Sequence, residues 1–219
     1  MRKRVRPRSR PAARAAGGRH RSARLPVFAV MGVVGLAALV AVGVRSTRGT
    51  AGEGIYVSDV EIIGSPLPPF ESGLGPDPAE GMTVPDARGF GFDSQELLYA
   101  SGAPRGIVFV AHWCPHCRRE ISEFTDLLES AEMPEGVEIQ TVSTWVEPSS
   151  DNYPPDRWLA SESWDFPVMN DDESATLGRA FGLTGTPLWI FVDADGTVVE
   201  RTGALGAEGV LTRLEDLAR

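Results

Sequence analysis

The run IVFVAHWCPHCRREISEF, residues 107–124, is the stretch that most constrains the fold. Its first part, IVFV, is continuously apolar, as in strands covered on both faces. Its last part places Ile121, Phe124, Leu127 and Leu128 at helical spacing. A buried strand that passes straight into an amphipathic helix belongs to sheets with helices packed on their faces. Both cysteines of the chain, Cys114 and Cys117, fall at that junction, with Pro115 and His116 between them.

The elements around this junction alternate. GFGFD (89–93) reads as a short strand, and SQELLYASG (94–102) as a short helix with Ser94 as its N-cap. Strands are expected over 105–113 and 137–144, with a helix over 115–132 between them. A helix opening on Pro154-Pro155, a short strand in FPVMNDD (166–172) and a helix over 174–182 closed by Gly182 follow. LWIFVDADGTVVERTGAL (188–205) reads as a hairpin turning at Asp195-Gly196. AEGVLTRLEDLAR (207–219) closes the chain as an amphipathic helix on Val210, Leu211, Leu214 and Leu217. Alternation followed by a hairpin predicts an α/β sandwich: a central mixed β-sheet flanked by helices, over residues 84–219. Residues 45–83, rich in Pro and Gly after a small polar start, read as a linker and a loop wrapping the domain edge.

Charge is divided unevenly. Residues 1–48 hold twelve of the 21 Lys and Arg and no acidic residue; all 30 Asp and Glu follow. The acidic part would repel phosphates, so nucleic acid is not an expected partner. Residues 25–44, LPVFAVMGVVGLAALVAVGV, carry no charge over 20 positions. As a helix they would span about 30 Å, the thickness of a bilayer core. Ten of the twelve basic residues precede them, which favours a cytoplasmic tail (1–24), a transmembrane anchor (25–44) and an extracytoplasmic remainder. A cleaved signal peptide is the rival reading, but its apolar core is usually ~7–15 residues. Both readings export the domain.

Three chemistries fit the cysteine pair. A structural bridge across two residues would close a tiny loop and stabilise little. A zinc or copper site could draw on His112, Cys114, His116 and Cys117, yet no third cysteine and no later histidine follows. Copper binding or delivery through the same cysteines stays as the alternative function. Redox exchange fits best. Cys114 at a helix N-terminus faces unpaired N–H groups, which favour the nucleophilic thiolate. Cys117, one turn on, is placed to resolve a mixed disulfide. Pro115 suits the first helical position, His116 offers a donor and a charge that would lower the Cys114 pKa, and Trp113 offers an apolar wall. Such exchange needs no bound cofactor and no metal.

With IVFVAHWCPHCRREISEF and the late TGTPLWIFVDADGTVVERTGAL (184–205), the chain resembles the thioredoxin superfamily. Within it, the chain is similar to membrane-anchored, extracytoplasmic thiol-disulfide oxidoreductases of the TlpA/ResA type. The resemblance implies that Thr186–Pro187 is cis, lies opposite Cys114 and offers the Thr186 backbone to a substrate strand. It also implies exported protein thiols or disulfides as substrates and a membrane redox partner. It favours reduction, whereas the Pro-His pair resembles oxidases of the DsbA type, so the direction stays open. Arg118 and Glu120 read as a solvated helix face with a salt bridge. Val108 stands where thioredoxin has a buried Asp, leaving Glu61, Glu120 or a water as substitutes.

Overall fold

The computed structural model describes residues 58–73 and 75–219. The expected cytoplasmic tail and anchor, residues 1–44, lie outside the described residues. Among the described residues no helix is long and apolar enough to cross a membrane.

Twelve elements follow one another among the described residues: β1 (Glu61–Ile63), β2 (Asp86–Phe90), β3 (Glu96–Tyr99), β4 (Arg105–Val110), α1 (Pro115–Leu128), β5 (Glu138–Ser143), α2 (Pro155–Ser161), β6 (Val168–Asn170), α3 (Thr176–Ala180), β7 (Leu188–Val192), β8 (Val198–Thr202) and α4 (Ala207–Leu217). The central sheet has the order β6-β5-β4-β7-β8. β4 pairs parallel with β5 and antiparallel with β7, so the sheet is mixed, as the alternation predicts. All six residues of β4 are buried.

Alternation along the strands sorts side chains onto two faces. Ile107, Phe109, Val142, Leu188 and Ile190 pack with Leu177 and Phe181 of the α3 region and with the smaller β1-β2-β3 sheet. Val108, Val110, Ile139, Trp189 and Phe191 pack under α1, α2 and α4, against Ile121, Phe124, Trp158, Leu159, Val210 and Leu214. Leu127, Leu128, Leu211 and Leu217 lie at the margins, half-buried. Gly106 lets α4 come close: a Cβ there would meet Leu214 Cδ2 at 2.9 Å and the Trp189 ring at 3.2 Å.

The helix expected over 94–102 is a strand. β2 and β3 form an antiparallel hairpin in which Ala87 faces Tyr99 and Phe90 faces Glu96. The expected strand over 89–93 is shifted back accordingly, and Ser94 sits in the turn at φ 61° instead of capping a helix. Packing decides between the two states. Leu97 and Tyr99 point inward, Leu98 is 56% exposed, and the Tyr99 hydroxyl reaches the Thr141 and Pro167 carbonyls at 2.9 and 3.0 Å. A four-residue apolar run carries too little periodicity to separate helix from strand.

The Pro/Gly-rich segment is tied down residue by residue. Leu67 N donates to Ala180 O and Phe70 N to Gly182 O, both at 2.8 Å. Arg201 of β8 grips the segment from beneath: Nε and Nη2 meet Asp77 at 2.7 and 2.6 Å, and Nη1 reaches the Pro68 and Phe181 carbonyls at 2.9 and 3.1 Å. Gly182, at φ 76°, is required here twice over: its backbone is left-handed, and a Cβ would run into the Pro68 carbonyl.

Candidate active site

Cys114 is the N-cap of α1, with extended backbone (φ −73°, ψ 118°) and Pro115 in the first helical turn. The Cys117 amide donates to Cys114 Sγ at 3.4 Å. Both cysteines are free and buried, Cys114 5% exposed and Cys117 fully enclosed. Cys114 keeps a small opening to solvent and Cys117 keeps none.

The Thr186–Pro187 bond is cis, and Cys114 Sγ–H donates to the Thr186 carbonyl at 3.2 Å. The loop before β7 therefore faces Cys114, as the resemblance implies. A thiolate cannot make that bond, so it belongs to the protonated form of Cys114. A second cis bond, Tyr153–Pro154, opens α2.

The two thiols are driven apart in acidity. Cys114 is brought down from 9.0 to about 5, chiefly because the Cys117 thiol donates to it. Burial opposes this, while the Thr186 side chain and the Cys117 and His116 amides add to it. Cys117 is pushed far up by burial first, and next by its own bond to Cys114. At neutral pH the pair holds one thiolate and one thiol. Alkylation of Cys114 by iodoacetamide is expected to follow a single titration with a midpoint near 5, while Cys117 stays inert up to pH 9. A midpoint near 8.5, that of an ordinary free cysteine, would contradict this arrangement.

The sequence expects His116 to tune Cys114. The His116 amide, rather than its ring, is what helps Cys114. The exposed ring accepts from Arg119 Nη2 at 3.2 Å through Nδ1, which requires an unprotonated nitrogen there. Trp113 is 37% exposed beside Cys114, and its Nε1 donates to the Trp145 carbonyl at 2.7 Å. His112 does not turn to the sulfurs as a ligand. Both of its ring nitrogens are bonded to backbone, Nδ1 to Asp151 O and Nε2 to Glu147 N.

Glu120 corrects the solvated-face reading. It is 3% exposed, and its carboxylate accepts from Trp189 Nε1 (2.9 Å), Leu205 N (2.7 Å) and Gly206 N (2.9 Å). It fastens α1 to the loop leading into α4. The pattern was available: Cys117, Glu120, Ile121 and Phe124 form an i, i+3, i+4, i+7 stripe, which places the carboxylate on the buried face. Arg118 is exposed, as expected. Glu61 stays exposed on β1, paired with Arg88 at 3.4 Å. Val108 is buried on the cysteine side of the sheet.

Fold and site together define a thioredoxin-like α/β domain with a dithiol at the N-terminus of its first long helix. Residues 77–201 match the AhpC/TSA family, and the chain belongs to that family. It is 26% identical over 137 residues to the thiol:disulfide interchange protein DsbE of Pseudomonas aeruginosa, covering 63% of this chain and 64% of that one. It is 31% identical over 114 residues to the nucleoredoxin of Homo sapiens, covering 50% of this chain and 25% of that protein. The chain thus spans less than two thirds of the length of either relative. Among solved structures it is similar to a thiol:disulfide interchange protein of the thioredoxin family from Chlorobium tepidum. That match has a TM-score of 0.53 and 21% identity, and covers 64% of this chain and 99% of that one. It is also similar to the thioredoxin domain of a thiol-disulfide oxidoreductase from Bacteroides vulgatus. There the TM-score is 0.52 and the identity 18%, over 64% of this chain and 99% of that one.

Proposed function

We propose that the chain is a thiol-disulfide oxidoreductase that exchanges disulfides with exported proteins through Cys114 and Cys117. One arrangement carries the reading: Cys114 caps α1 against the cis Thr186–Pro187 loop with its thiol pKa held down to about 5, and the enclosed Cys117 keeps its proton. In the reducing direction the Cys114 thiolate attacks one sulfur of a substrate disulfide and expels the other as a thiolate. Cys117 then loses its proton, attacks Cys114 Sγ and releases the second substrate sulfur. The chain is left with a Cys114–Cys117 disulfide, two electrons poorer. The oxidising direction is the same path reversed.

The depressed Cys114 pKa stabilises the dithiol and so favours the oxidising direction, against the lean of the family resemblance toward reduction. The basic tail and apolar run support an anchor that places the domain outside the cytoplasm, where disulfides persist. A membrane thiol carrier or reoxidant would restore the starting state. The metal-binding alternative is not favoured by the geometry, because the ring nitrogens of His112 are committed to backbone partners.

Cys117→Ser tests the pathway. The variant is expected to accumulate a covalent mixed disulfide between Cys114 and a protein substrate, visible on a non-reducing gel and lost with dithiothreitol. Absence of any adduct with disulfide-bonded protein substrates would contradict the proposal.

A further inference from the structure

His112 is a buried ionisable residue that the exchange steps leave unused. It lies between the end of β4 and Cys114 and is 1% exposed. The Glu147 amide donates to its Nε2 at 3.1 Å. An accepting Nε2 carries no proton, so the ring hydrogen sits on Nδ1 and is donated to the Asp151 carbonyl at 2.8 Å. The His112 carbonyl accepts from Asn152 Nδ2 at 3.1 Å. Three contacts therefore join the stretch 147–152 to the residue two positions before the nucleophile.

That stretch belongs to a connection with no helix or strand of its own, between β5 and α2. The same connection is tied again where Trp113 Nε1 meets the Trp145 carbonyl. It carries Val146, 37% exposed, and the half-buried Trp145, next to the exposed Trp113. Trp145 packs against the cluster that contains Cys114 and Cys117, so this connection forms a shelf beside the dithiol. A packing residue at position 112 would need only volume. An imidazole bonded at both nitrogens is a rigid spacer that sets one end of this connection against the other.

We infer that His112 is a positioning residue: it fixes the 145–152 shelf beside Cys114 and so governs how well a protein substrate is held for attack. This rests on the oxidoreductase reading given above. The sulfur chemistry is left to the cysteines.

The test uses the full chain with insulin as the protein disulfide. His112→Phe keeps the ring volume but leaves the Glu147 amide and the Asp151 carbonyl without partners. It is expected to raise KM for insulin at least fivefold with kcat within twofold. Hydrogen exchange at the Glu147 amide should accelerate at least tenfold. The Thr144 amide, bonded to the Val110 carbonyl at 3.0 Å, should keep its rate and so report an intact sheet. His112→Gln, which retains a donor and an acceptor, should recover part of both effects. If the Phe variant does not fold, His112→Asn, too short to replace Nε2, gives the same two readings. An unchanged KM, or a Glu147 amide still protected in the Phe or Asn variant, would overturn the inference. Absence of exchange by the unaltered chain both with insulin and, from its disulfide form, with a reduced protein would instead overturn the oxidoreductase reading, and Glu147 protection would still report the His112 contact by itself.

Discussion

Cys114→Ser is expected to abolish exchange, with the rate on a protein disulfide falling by at least about 10³-fold. A serine hydroxyl stays protonated at any working pH, so every contact that stabilises the Cys114 thiolate would face a group with no charge to stabilise. The measurement is the rate of insulin reduction in dithiothreitol, parent against variant. Fold is not at stake, because serine is also a good N-cap for α1. Substantial activity in this variant would mean that Cys117 can act alone. Its enclosure and its raised pKa speak against that. Cys117→Ala should be distinct: Cys114 loses the side-chain donor that contributes most to its low pKa, and its alkylation midpoint should rise.

The second large effect concerns stability. Arg201→Ala is expected to cost about 3–5 kcal/mol in urea unfolding, because it leaves the Asp77 carboxylate buried without its partner. The side chains of the pair are 0% and 8% exposed. Burial alone would push the Asp77 carboxyl up; the Arg201 contacts outweigh it, and the net direction is down. A carboxyl lowered on folding stabilises the fold above its unfolded pKa, and the contribution is lost as pH falls through the folded value. The stability gap between parent and variant should therefore narrow below about pH 4. Arg201→Met with Asp77→Leu should recover only part of the loss: an apolar pair can replace a buried ion pair, but the Pro68 and Phe181 carbonyls lose their donor. Through Phe70 the same segment holds Thr184, whose hydroxyl donates to the Phe70 carbonyl at 2.6 Å, so loosening it should also disturb the cis-proline loop. A loss below about 1 kcal/mol would show that the segment is held mainly by its backbone bonds.

Much of the site was legible in the sequence because its chemistry is local. Strand, Cys-x-x-Cys and helix follow one another without interruption, so the N-cap position of Cys114 and the burial of Cys117 come from spacing alone. What could not be read depends on partners far along the chain. Arg201 and Asp77 are 124 positions apart, and no local pattern links them. His112 is explained only by residues 147–152. Glu120 was misread because a carboxylate between arginines and a serine looks solvated, although the helical stripe through Cys117, Ile121 and Phe124 contains it. The β3 strand was misread because ELLY is too short for its period to show, and the inward Tyr99 that decides its state bonds to Thr141 and Pro167.

The central claim is that Cys114 and Cys117 form a reversible dithiol–disulfide couple tuned by the stabilised thiolate. Its most direct test is the reduction potential, measured on the full chain in glutathione buffers with maleimide tagging to count free thiols. Thioredoxin, with a cysteine pKa near 7, has a potential of about −270 mV, and DsbA, near 3.5, about −120 mV. A Cys114 pKa of about 5 predicts a single two-electron transition at roughly −190 mV between those limits. A potential at or below about −270 mV would contradict the role given to the thiolate, and the absence of any reversible two-thiol transition would contradict the account as a whole.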